Sequence, residues 1–285
     1  MLDDRRQARP TRQDDGIEEQ INPPTSRHAA LLEQALQALR QDNRVLAVLL
    51  GGSLASGDAD EESDIDLSVV VDDAVADAFN DDRDWLERME APVIASLGPV
   101  PNLVTSLMRD GLRLDVTVER RTAFQTRPRR AVIALHDPLG LLAGVEVVVP
   151  RYEPTPEWLR RNVEDFLRFL DQLSVVVLRE EWIAGVDNAW YLISQLVDLY
   201  AHDNRAPRTS PRRMNARLTA GQRSAIESLP AIQATERAIV DVHVSVARLF
   251  IPVAEEMYRE LGLAWPEELE SAVREHLQRR VGARI

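Results

Sequence analysis

Residues 51–67 read GGSLASGDADEESDIDL, and this stretch decides the fold. It follows RVLAVLL (44–50), a short apolar run ended by two glycines, which suits a buried strand over 44–50. In DIDLSVVV (64–71), Ile65, Leu67 and Val69 alternate with Asp64, Asp66 and Ser68, the period-two pattern of a second strand. Asp64 and Asp66 lie two apart, so both carboxylates leave one face of that strand while Ile65 and Leu67 enter the core. Between the strands, Gly51 and Gly52 allow the backbone to come close to a phosphate, and Ser53 can cap the following turn while offering its hydroxyl and N–H. Six of the nine residues from Asp58 to Asp66 are acidic, a density that repels itself unless solvated or neutralised by a cation. Asp58, Asp60, Glu61 and Glu62 are read as a solvated loop. The run is no EF-hand, because the sixth and twelfth positions of a loop starting at Asp58 are Ser63 and Val69.

Upstream, Ser26 fits a helix cap, and Ala30, Leu31, Leu32, Ala35, Leu36 and Leu39 recur at helical spacing, which predicts a helix over 27–41. Residues 1–25 are charged and rich in proline, and read as a mobile tail. Downstream, 83–97 reads as helical. LVTSLMRD and LRLDVTVER flank Gly111 and predict strands at 103–109 and 112–119, and 131–138 is a further short strand. Asp115 sits in the second of these strands between core-facing Leu114 and Val116. If that strand lies beside 64–71, three carboxylates converge. Glu119 shares its face but lies roughly 13 Å further along an extended strand, and is left outside the site.

Near residue 150 the pattern breaks at Pro154 and Pro156, and Thr155-Pro156-Glu157 is a good helix start. From there 156–173, 186–202, 219–228, 231–261 and 266–280 all carry helical period. The expected fold is an α/β domain with a mixed sheet over 26–150, followed by an all-α helical bundle over 151–285. Trp182, Trp190 and Tyr191 stand at helical spacing and read as core, and the five histidines as packed or surface residues.

Composition removes several classes of function. The 285 residues include no cysteine, which excludes disulfides, thiol nucleophiles and zinc–thiolate sites. All 34 basic residues are arginine, so no Schiff-base lysine or Walker-type phosphate lysine is available. With 47 acidic residues the net charge is −13, a field that repels nucleic acid and favours cationic small molecules. No stretch has the length or hydrophobicity of a membrane span or a signal peptide, so a cytoplasmic location is expected. Gly51 to Ala55 lacks the second glycine of a nucleophile elbow, which argues against a serine hydrolase. Three hard oxygen ligands instead suit Mg²⁺, and two such ions can serve phosphoryl or nucleotidyl transfer.

The GGS turn, Asp64 eleven positions after Ser53 within SDIDL, and Asp115 about fifty residues further on resemble the nucleotidyltransferase signature of the DNA polymerase beta superfamily. With its helical C-terminal half included, the chain looks most like the antibiotic nucleotidyltransferases that modify lincosamides and aminoglycosides. VVLREEWIAGVDNAWYLISQLVDLY (176–200) is similar in arrangement to their second-domain helices. The resemblance implies a Mg²⁺-dependent transfer of a nucleoside monophosphate, AMP from ATP, to a hydroxyl of a small and cationic acceptor, with the nucleotide between the two halves. It places Gly52 and Ser53 on the phosphates and Asp64 and Asp66 on the metal. Asp115 becomes the third carboxylate, as ligand, general base or both. Relatives set a lysine on the triphosphate; an arginine must substitute here, and Arg179 is the choice. The alternative is a protein-directed, antitoxin-like regulator that nucleotidylates a partner protein, although minimal antitoxin modules lack so large a helical domain.

Overall fold

The computed structural model describes residues 21–90, 93–98, 100–126, 128–208 and 213–285. The chain divides into two compact units, Met1–Val149 and Pro150–Ile285. Up to residue 20 the expected tail lies outside the described residues, whereas Ile21 is buried in the core of the first unit. Helix α1 (Ser26–Arg40) is capped by Thr25, one residue before the expected Ser26. Thr25 has the extended backbone of a cap and its hydroxyl accepts from the His28 N–H, while Ser26 already has helical geometry.

The first unit is built on a six-stranded mixed sheet: β1 (Val45–Leu50), β2 (Ile65–Val71), β3 (Val93–Leu97), β4 (Leu103–Met108), β5 (Arg113–Arg120) and β6 (Ile133–His136). The spatial order is β3-β4-β5-β2-β1-β6. β2 and β5 run parallel, and every other neighbouring pair is antiparallel. Along β1, Val48 and Leu50 enter the core that α1 covers, while Ala47 and Leu49 join Phe124 and Leu141 in a smaller cluster. Both faces of β1 are therefore dry, which fixes its rotation and register.

The helix expected over 83–97 is replaced by two short helices, α3 (Ala76–Asp81) and α4 (Asp84–Glu87), and then by strand β3. A proline at position 92 explains why no single helix spans this stretch, because proline lacks an N–H donor and disfavours helical geometry in the residue before it. Beyond it, the β-branched Val93 and Ile94 belong to β3, which pairs along β4 at the sheet edge. The remaining α-helices among the described residues of this unit are α2 (Gly52–Ser56) and α5 (Arg121–Thr126).

The second unit is helical: α6 (Pro156–Asp171), α7 (Leu173–Leu178), α8 (Trp182–Asp203), α9 (Ala220–Glu227), α10 (Glu236–Glu260) and α11 (Glu267–Val281). Thr155 caps α6 by accepting from the Trp158 N–H at 3.2 Å. Phe166 and Phe250 stack at 3.7 Å in the centre of the bundle. Gly185 lets α8 approach α10, since a Cβ there would lie 3.0 Å from Ile239 Cγ2. No helix among the described residues is long and apolar enough to cross a membrane.

His243 lies on the buried face of α10 and is fully inaccessible. Its Nδ1–H donates to the Ile239 carbonyl at 2.7 Å, while Nε2 is buried without a hydrogen-bond partner. Burial pushes the imidazole down from 6.5 to about 4. Because only the folded state resists the proton, stability is full above pH 6.5 and falls as the pH drops toward 4. That window corresponds to roughly 3 kcal/mol at about 1.4 kcal/mol per pH unit. His243→Leu should flatten the loss by a comparable amount when urea unfolding of the two proteins is followed from pH 7.5 to 4. Parallel pH profiles would show that His243 does not control it.

Candidate active site

β2 and β5 pair in register so that the Cα of Asp66 lies opposite that of Asp115. Ile65, Leu114 and Val116 are fully buried, which turns both aspartates to the other face of their strands. Asp64 precedes β2 by one residue and joins them. Each of the three carboxylates offers an oxygen within 4.8 Å of the others. One Asp115 oxygen, Oδ1, is buried without a hydrogen-bond partner. An orphaned buried acceptor is costly in a finished fold, but it is what a cation ligand looks like before its ion arrives.

The glycine turn is pressed against this cluster. Gly51 N–H donates to the Asp66 carbonyl at 2.8 Å, which ties the end of β1 to β2. Gly52 has φ +60°, and a Cβ there would overlap the Asp66 carboxylate, so glycine is required for conformation and for space. Ser53 comes next, half-buried, in the first turn of α2. The glycine turn therefore lies directly beside the carboxylate cluster, an arrangement suited to phosphate recognition next to a cation.

The loop carrying Asp64 is held from below by a residue that sequence reasoning passed over. His28 on α1 is fully buried, and its ring reaches the Ser63 carbonyl through Nε2 at 2.9 Å. A carbonyl only accepts, so Nε2 carries the proton and Nδ1 accepts from the Thr25 hydroxyl at 2.7 Å. Ser63 in turn donates its hydroxyl to Asp60 Oδ1 at 3.1 Å, which makes Asp60 a turn builder within the acidic run. His28→Ala should lower turnover about tenfold or more by loosening Asp64. His28→Gln, which keeps an N–H donor, should recover part of the loss. Initial rates beside thermal melts check this, and wild-type rates in both variants would refute the tether.

A second residue missed from sequence is Arg113. Its Nη2 forms an ion pair with Asp64 Oδ2 and lies 3.3 Å from Asp115 Oδ2. The signal was present in the RLD triplet, since positions two apart share a strand face, but the partner Asp64 comes from a different strand. Glu119 is a structural residue: it is buried and forked onto Arg129, whose guanidinium covers the Phe124 ring. Arg179 belongs to the second unit, where it forms the exposed C-cap of α7.

Trp190 and Tyr191 are exposed on α8, contrary to the core expected for them. The buried stripe of that helix runs through Asn188, Ala189, Leu192, Gln195, Leu196 and Leu199, and leaves these two rings outside it. Trp182 packs partly buried against the core. A groove of about 480 Å³ lies within this unit, and its lining includes Trp158, Arg161, Asn162, Asp165, Tyr191 and Asp198.

The nucleotidyltransferase domain family matches residues 32–108, from α1 to the end of β4. No curated protein matches the chain. Among solved structures, it is similar to an aminoglycoside 6-adenyltransferase from Bacillus subtilis, with 15% identity over 87% of this chain and 96% of that one, at a TM-score of 0.43. It is also similar to a CCA-adding enzyme in its apo form, with 14% identity over 90% of this chain and 70% of that one, at a TM-score of 0.35. The glycine turn and the Asp64–Asp66 pair both fall within the matched segment, and the chain carries a nucleotidyltransferase domain that includes residues 32–108.

Proposed function

We propose that the enzyme transfers a nucleoside monophosphate, AMP from ATP, to a hydroxyl of a small acceptor and releases pyrophosphate. The in-register placement of Asp66 beside Asp115, with Asp64 closing the cluster, carries this assignment. Three converging carboxylates, with an unpartnered buried oxygen on Asp115, fit Mg²⁺ held by Asp64, Asp66 and Asp115. When bound there, Mg²⁺ supplies positive charge for the phosphate oxygens and for the developing alkoxide.

The chain's own residues do the rest. The backbone at Gly52 and the hydroxyl and N–H of Ser53 offer donors to the triphosphate. Asp115, besides completing the carboxylate set, orients the acceptor hydroxyl or takes its proton. The new bond joins the acceptor oxygen to the α-phosphorus, and the bond from that phosphorus to the bridging oxygen breaks as pyrophosphate leaves. In the second unit, Asp165 and Asp198 outnumber Arg161 in one groove and Asp187 lines a neighbouring one, an acidic balance that supports a cationic, hydroxylated acceptor such as an aminoglycoside or a lincosamide.

The test is incubation with Mg²⁺ and each NTP against pooled aminoglycosides, lincosamides and simple sugars, tracking pyrophosphate and acceptor mass, with Asp64→Asn as the blank. A mass gain of one nucleotidyl group on a panel member supports the assignment. Silence with NTP binding intact moves the acceptor to a protein, and absence of nucleotide binding overturns the catalytic role.

A further inference from the structure

We propose that Arg113 is a tethered counter-cation that exchanges with the divalent metal: it holds the carboxylate cluster together in the absence of the ion and must leave for the ion to bind. This rests on the assignment of Asp64, Asp66 and Asp115 as the metal-binding set. The Arg113 Nη2 contacts Asp64 Oδ2 and lies 3.3 Å from Asp115 Oδ2, bridging two of the three side chains whose oxygens converge within 4.8 Å. An ion held by the same carboxylates sits close to this guanidinium, and the two positive charges repel one another even where the ion takes the unpartnered Asp115 Oδ1, so the two cations compete for one cluster.

Arg113 is well built for exchange. It opens β5 two residues before Asp115, so its backbone is fixed by the sheet while its side chain leaves on the carboxylate face. Its side chain is 29% exposed, which leaves an outward path for the guanidinium. Its Nε is buried without a hydrogen-bond partner, so the group is anchored through its tip and not along its length. Three carboxylates brought this close repel one another, and one tethered cation relieves part of that repulsion before any ion is present. Arg113 is thus a positioning residue, acting through the carboxylates, and it sets how tightly the ion is held.

The probe is Mn²⁺ alone, without nucleotide, titrated into the whole protein while the free aquo ion is monitored by electron paramagnetic resonance. Arg113→Gln should bind Mn²⁺ about tenfold more tightly than wild type, because the competing charged contact is gone. The metal-free variant should melt below wild type, and saturating Mn²⁺ should raise its melting temperature by more. Arg120→Gln removes the same charge from the other end of β5, where Arg120 pairs with Asp77, and should leave the affinity unchanged. Should Arg113→Gln fail to fold without metal, Arg113→Lys, whose single ammonium spans the two carboxylates less well, should still tighten binding severalfold. Unchanged or weaker Mn²⁺ binding in the Arg113 variants, with Asp66-dependent binding intact in wild type, overturns the exchange alone. Absence of Asp66-dependent binding in wild type would instead overturn the metal site and the exchange with it.

Discussion

Asp66→Asn is expected to lower turnover about a thousandfold, while the protein melts within a few degrees of wild type. The size derives from the several kcal/mol that a bound metal contributes to a charged transition state, at about 1.4 kcal/mol per tenfold in rate. Asparagine keeps the shape of the side chain and one oxygen, so packing against Gly52 and the register with Asp115 survive. Only the charge proposed to recruit the cation is lost. Stability should hardly suffer, because removing one of three converging carboxylates also relieves their repulsion. Single-turnover pyrophosphate release beside melting curves measures both effects. Retained activity in a folded variant would remove Asp66 from the metal set and the in-register pair from the mechanism. Asp64→Asn should show the same pattern, without the added packing consequence at Gly52.

The parts of this site that are legible in the sequence are those fixed by local period. Asp64 and Asp66 share a face because strand side chains alternate, and the glycine turn announces itself between a buried strand and an acidic one. Convergence with Asp115 depends on a condition that no local pattern sets: β2 and β5 are neighbours in space, yet β3 and β4 lie between them in the chain. The roles of Arg113 and His28 are illegible for the same reason. Arg113 finds Asp64 across that parallel pairing, and His28 finds a backbone carbonyl thirty-five residues away. Strand β3 escapes a periodicity reading because the helix-like apolar spacing upstream runs into the proline at 92, and the strand itself is an exposed edge with little burial to reveal its period. Trp190 and Tyr191 mislead for the opposite reason. Their spacing is helical, but the dry face of α8 is set by partners in α6 and α10, and spacing alone does not say which face that is.

Gly52→Ala is the second large effect, expected at about a hundredfold or more in turnover for a stability cost of about 1–2 kcal/mol. Two strains combine at this position. The backbone has φ +60°, which an L side chain rarely adopts, and the new methyl would overlap the Asp66 carboxylate and crowd its Cγ. The turn is tied to β2 by the Gly51 N–H on the Asp66 carbonyl, so the carboxylate gives way more readily than the backbone does. Rotating it takes its oxygen out of the cluster with Asp64 and Asp115 while the sheet remains intact. Gly57→Ala separates the two strains: Gly57 also has positive φ, +76°, but a Cβ there meets nothing within 4 Å. That variant should lose comparable stability and keep most of its activity, with Mn²⁺ affinity reduced only in Gly52→Ala. Equal activity losses in the two variants would mean that the shape of the turn governs the rate, and that the contact between Gly52 and Asp66 does not.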